Sequence, residues 1–97
     1  MFSVRNSSDL FRIVDGVHFI EKNGSYLVLT HDRKGVIELN KVAYSIWRNL
    51  QKPISFTNLL AKIQEEYDVK QEELIKDIED WLKEALKEKI IKKVKST

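Results

Sequence analysis

The sequence contains no cysteine, which removes disulfides and thiolate metal ligands and fits a reducing compartment. It has one proline, Pro53, and three glycines, Gly16, Gly24 and Gly35, all isolated, so no glycine-rich loop is available to cradle phosphates. The two histidines, His18 and His31, lie on a predicted strand and near a turn without metal-ligand spacing around them. No stretch approaches the roughly 18 apolar residues that a bilayer span requires. The segment Met1 to Asn6 lacks the architecture of a signal peptide. Ser7 and Ser8 have no base motif attached. The paired acids Glu65-Glu66, Glu72-Glu73 and Glu79-Asp80 fall on predicted helices, where neighbours point about 100° apart and read as solvated surface. A cytoplasmic, non-catalytic chain is expected, without metal, cofactor or membrane contact.

What is present is an ordinary globular composition. Ninety-seven residues, 42% of them hydrophobic, suffice for one core and leave no room for a second. The expected organisation is a single domain over 1–97, with a lead-in over about 1–9 and a basic tail over about 92–97. Net charge is +2, and its positive part gathers in Lys87, Lys89, Lys92, Lys93 and Lys95. These lysines read as a solvated helix end that complements the macrodipole.

Along the chain, Phe11, Ile13 and Val14 suit a short strand before the Asp15-Gly16 turn. Val17 to Glu21 and Tyr26 to Thr30 flank Asn23-Gly24, the dipeptide a type I′ hairpin turn favours because both positions need positive φ. The second of these strands is nearly all apolar, as expected if both faces are covered. A turn at Asp32 to Gly35 leads into Val36 to Leu39, the last strand of an antiparallel meander that the Phe11 segment can extend. Asn40 is then placed to cap a helix over about Lys41–Leu50, ended ahead of Pro53. Ser55 caps a second helix that fades near Tyr67-Asp68, with Val69 as a plug in the connection. A third helix starts near Gln71, and Ile90, Ile91 and Val94 close the chain in a frayed turn or short extended piece. The expected fold is α+β and winged helix-turn-helix-like, a three-stranded antiparallel sheet followed by three helices.

That architecture invites a DNA-binding reading, in which helix three enters the major groove and meets phosphates with positive charge. Helix three instead carries Glu72, Glu73, Asp77, Glu79, Asp80, Glu84 and Glu88 against Lys76, Lys83, Lys87 and Lys89, and it has no arginine. The charges argue against nucleic acid. Its apolar stripe, centred on Ile78 with Ile75, Leu82 and Leu86 on one flank and Leu74, Trp81 and Ala85 on the other, spans roughly 140°. One flank can cover the core while the other lines a groove beside the sheet. The second wall is the strand from Val36, whose outer edge carries only Glu38 and Lys34 as gatekeepers. An extended peptide can add there as a further strand.

The run Tyr26 to Leu29, then Gly35 to Asn40, Ala43, Ile46-Trp47 and Leu50, resembles the PqqD-like domain. This domain is also known as the recognition element for precursors of ribosomally synthesised and post-translationally modified peptides. The likeness continues through Phe56, Leu59, Glu66 to Val69, Asp77-Ile78, Trp81-Leu82 and Leu86 to Ile91, and so covers about residues 17 to 91. It implies a non-catalytic adaptor that binds a precursor's leader segment as an antiparallel strand against the third strand, beside the third helix. Carried over, the strand wall is Lys34, Gly35, Val36, Ile37 and Glu38, and the helix wall Leu74, Asp77, Ile78, Trp81 and Ala85. The Tyr67-Asp68-Val69 segment and Trp47 make it look most like the free-standing version of lasso-peptide assembly, which partners a leader peptidase. The pyrroloquinoline quinone version, a peptide chaperone paired with a radical enzyme, is a close alternative. A DNA-binding winged-helix regulator and a structural subunit of a larger enzyme are the rivals from other classes.

Overall fold

The structure, a computed structural model, describes residues 9–30 and 34–95. Five strands and three helices follow in the order β1 (Asp9–Ile13), β2 (His18–Lys22), β3 (Ser25–Leu29), β4 (Val36–Leu39), α1 (Lys41–Asn49), α2 (Phe56–Glu66), α3 (Gln71–Lys87) and β5 (Ile91–Lys95). The meander is there: β2, β3 and β4 form an antiparallel three-stranded sheet in that order. Its first turn has Asn23 at φ 51° and Gly24 at φ 81°, the two positive values that a two-residue hairpin of right-handed strands requires.

The helices begin where short polar side chains can satisfy their first amides. The Asn40 side chain accepts from the Ala43 N–H at 2.8 Å, and Ser55 Oγ accepts from the Asn58 N–H at 3.2 Å. Helix α3 has no side-chain cap; Glu72 and Glu73 in its first turn oppose the positive end of its dipole instead. The three helices pack on one another, and Ile46, Leu59, Ile63, Ile78 and Leu82 close the core between them.

Three expectations are corrected here. The Phe11 segment does not extend the meander: β1 pairs antiparallel with β5 in a separate two-stranded ribbon. The first and last described strands therefore meet, and of the two endings expected for Ile91 to Lys95 it is the short extended one that forms. The reversal after α3 makes this possible. Lys89 adopts φ 61° while the Ile90 N–H donates to Ala85 O at 3.0 Å and the Lys89 N–H to Leu86 O at 3.1 Å. This Schellman turn buries Ile90 and aims the chain back along β1. Lys93 and Lys95 consequently serve no helix end; they reach the buried Asp9 carboxylate at 3.4 and 3.9 Å. Asp9 itself opens β1, and the other residues of the expected lead-in lie outside the described ones. Val69, finally, is exposed and plugs nothing.

A polar latch ties α1 to the end of α2. The fully buried Ser45 hydroxyl donates to Glu66, which also accepts from Arg48 at 2.8 Å, and the Tyr67 hydroxyl donates to Lys41 O at 3.0 Å. Replacing Glu66 by Ala strands a buried hydroxyl without its acceptor, at an expected cost of about 1–3 kcal/mol. Ser45→Ala should cost less, because Glu66 keeps Arg48 and solvent. Urea midpoints of the two variants in that order would bear this out, and equal midpoints would refute the latch.

Candidate functional site

Among the described residues, strand β4 pairs with β3 alone. Its register against β3 sets Leu29 opposite Val36, Val28 opposite Ile37, Leu27 opposite Glu38 and Tyr26 opposite Leu39. The Thr30 N–H donates to Gly35 O at 3.0 Å, which makes Thr30 and Gly35 a hydrogen-bonded pair. Antiparallel pairs alternate between bonded and non-bonded. Ile37 and Leu39 therefore bond to β3, while the N–H and C=O groups of Val36 and Glu38 point away from it. Among the described residues no strand takes up those four groups. Side chains alternate as well: Ile37 and Leu39 turn inward, and Val36 and Glu38 outward, with Val36 58% exposed.

Helix α3 runs along this edge. A Cβ on Gly35 would stand 2.8 Å from Thr30 Cγ2 and 3.6 Å from a Glu88 carboxylate oxygen, so the start of β4 lies against the C-terminal end of α3. The close approach to Thr30 favours glycine here, and the Thr30 hydroxyl accepts from the Gly35 N–H at 2.9 Å. At the other end, Asn40 shares a recess of about 350 Å³ with Val42, Ala43, Ile46, Asp77 and Trp81. Helix rise and strand rise agree over this span: Asp77 to Glu88 covers about 16 Å and Gly35 to Asn40 about 16 Å. Edge and helix together form a cleft with a recess at one end, where Asp80 joins Asp77 beside the apolar side chains.

The residues expected along the helix wall divide sharply. Leu74, Ile78 and Ala85 are 1%, 0% and 0% exposed and belong to the core, so they have no surface to offer a ligand. At 100° per residue they occupy the middle of the stripe, and only its margins stay accessible. Trp81 lies on the margin facing the recess, half-buried, with the exposed Asp77 beside it. Lys34, Gly35, Val36, Ile37 and Glu38 stand together along the edge, Ile37 half-buried with its side chain turned inward. Sequence reasoning missed the contribution of α1. Val42, Ala43 and Ile46 line the recess because the helix starts immediately after β4. The Asn40 cap was the available signal: a helix beginning at the end of an edge strand must present its first turn there.

A larger concavity, about 1010 Å³, lies on the β2 side, between the β1–β2 connection and α1. Phe19, Tyr44 and Trp47 line it within an aromatic cluster that includes Tyr26 stacked on Tyr44 at 4.0 Å. Its two arginines are already engaged, Arg12 with Asp15 at 3.2 Å and Arg48 with Glu66 at 2.8 Å. Size alone therefore does not select it: β2 is an edge strand as well, and what distinguishes the smaller cleft is α3 lying alongside β4. Among the described residues no group of three or more His, Cys, Asp or Glu is placed to hold a metal ion. No helix among them is long and apolar enough to cross a membrane.

A three-stranded sheet with its last strand at an edge, alongside the last of three helices, is the architecture of a known class. Residues 26–91 match the family model described as coenzyme PQQ synthesis protein D (PqqD). The match spans more than half of the chain, and the protein belongs to the PqqD family. The fold is similar to that of "TbiB1 in Complex with the TbiA(beta) Leader Peptide", with a TM-score of 0.71 at 20% identity, covering 84% of this chain and 94% of that one. No curated protein sequence matches the chain.

Proposed function

We propose that this protein is a non-catalytic adaptor for the leader segment of a ribosomally synthesised precursor peptide. The leader adds as an antiparallel strand to β4 and is delivered to a modifying enzyme or leader peptidase, in lasso-peptide assembly. The observation that carries this reading is the free edge at Val36 and Glu38, set beside α3 with the Trp81 recess at its end. Backbone bonds along the edge supply affinity for any extended chain, and an apolar residue seated in the recess supplies selectivity. Lending support is TbiB1, a protein of similar fold that binds a leader peptide. Tyr67 to Val69 and Trp47 favour the lasso version. The family description favours a second reading, a peptide chaperone of pyrroloquinoline quinone synthesis. The precursor that binds decides between the two.

Titrating a fluorescent leader, taken from a precursor encoded beside the gene, tests the reading by anisotropy, with a scrambled leader and a DNA duplex as controls. Saturable binding lost on scrambling is expected; salt-sensitive duplex binding without peptide binding would overturn it. In the same assay Trp81→Ala should weaken binding by about tenfold, the loss of one apolar anchor worth about 1.5 kcal/mol. The domain should stay folded, since Trp81 is only half-buried. Unfolding of that variant would place Trp81 in the core and remove the recess from the site.

A further inference from the structure

Helix α3 is sorted by charge around its axis. Asp77, Trp81, Glu84 and Glu88 follow one another at steps of four, three and four residues, which puts them in one row along the helix. Both ends of that row are located against β4: Asp77 and Trp81 at the recess beside Asn40, and the Glu88 carboxylate beside Gly35. The row is therefore the helical wall of the cleft. It holds three carboxylates, one indole and no lysine. The lysines within α3, Lys76, Lys83 and Lys87, lie roughly 110° further round, on its exposed back. Asp80 adds a fourth carboxylate at the rim of the recess, and Glu38 a fifth on the strand itself.

None of these five carboxylates makes an ion pair among the described residues. Lys34, at the start of the strand, has an interaction of its own. An acidic wall stands out on a chain whose net charge is +2. Carboxylates concentrated along a cleft raise the local concentration of cationic ligands and repel anionic ones.

Resting on the adaptor reading, we infer that the cleft selects a cationic peptide. Its lysines or arginines fall at alternate positions, on the side of the added strand that faces α3. Alternate residues of a strand recur about every 6.6 Å, close to the roughly 6 Å between Glu84 and Glu88 along the helix. An aliphatic stem or a guanidinium at the end of the register can lie over the Trp81 ring, with Asp77 and Asp80 beside its charge. The acidic wall thus contributes selectivity that the sequence-independent backbone pairing lacks.

The test uses two short synthetic peptides with identical apolar positions, one with lysine and one with glutamate at the alternate polar positions. Each is titrated by anisotropy into the wild-type chain and into the double variant Glu84→Lys, Glu88→Lys. The expected result at low salt is about tenfold tighter binding of the lysine peptide, the sum of several exposed charge pairs. The preference should shrink at high salt and reverse in the double variant. Equal affinity of the two peptides would overturn the cationic selectivity while leaving strand addition at this edge intact. Failure of both to bind would also overturn it, whereas the adaptor reading stands or falls separately on the precursor leader.

Discussion

Val36→Pro and Glu38→Pro should each leave the domain folded and weaken leader binding by at least tenfold, and the double variant should abolish it. The argument is geometric. Proline removes a backbone N–H, and at these two positions that N–H points away from β3 and supports no bond of the sheet. An added strand loses that donor, worth about 1 kcal/mol net, and meets the pyrrolidine ring where its own carbonyl should sit. Ile37→Pro lies between the two and should behave in the opposite sense. It breaks a bond to Val28 in the middle of the sheet and should destabilise the domain itself. The other edge supplies the control. Lys22 and Ser25 close the two-residue hairpin, so alternation turns the backbone of Phe19 and Glu21 outward on β2. Glu21→Pro should therefore spare both fold and binding. Circular dichroism and anisotropy on the five variants decide the matter. Loss of binding in Glu21→Pro with retention in Val36→Pro would move the ligand to the β2 edge and its aromatic groove.

What was legible in the sequence was local. Asn23-Gly24 specifies its turn because few other residues tolerate two positive φ values in a row, and Asn40 and Ser55 mark helix starts through single hydrogen bonds. The free edge of β4 was readable for the same reason: a meander that passes directly into a helix leaves its last strand with one partner. The ribbon of β1 and β5 was not readable. Its partners come from opposite ends of the chain, and a lysine-rich segment such as Ile91 to Lys95 has too little alternation to announce a strand. Depth was illegible too. Helical periodicity places Leu74, Ile78, Trp81 and Ala85 on one face, but only the packing of α1 and α2 against that face decides which side chains disappear. Trp81 remains partly accessible because it sits at the margin of the stripe, where the recess opens. The cluster of Phe19, Tyr26, Tyr44 and Trp47 joins β2, β3 and α1, and no local pattern in any one element foretells it.

The chain ends provide the second large effect. Phe11 is fully buried; its N–H donates to Ile54 O at 2.8 Å, and its carbonyl accepts from the Ile54 N–H at 3.0 Å. Phe11→Ala should cost about 3–5 kcal/mol, because the ring's transfer energy is lost and the surrounding core can close only partly over the gap. Against a total of roughly 5–15 kcal/mol for a domain, that is a large share, and the thermal midpoint should fall by about 15–30 °C for a chain of this size. Phe19→Ala, at a ring 38% exposed, should cost markedly less. The reason the difference matters is mechanical. Strand β1 packs on α2 and β5 on α3, so the ribbon braces the helical layer. Leader affinity measured well below the midpoint should be unchanged in Phe11→Ala, since Val36, Glu38 and Trp81 keep their places in the folded fraction. A drop in affinity at temperatures where the variant is fully folded would mean that the ribbon also sets the position of α3 in the cleft. A stability loss below about 1 kcal/mol would mean that β1 and β5 lie outside the cooperative core.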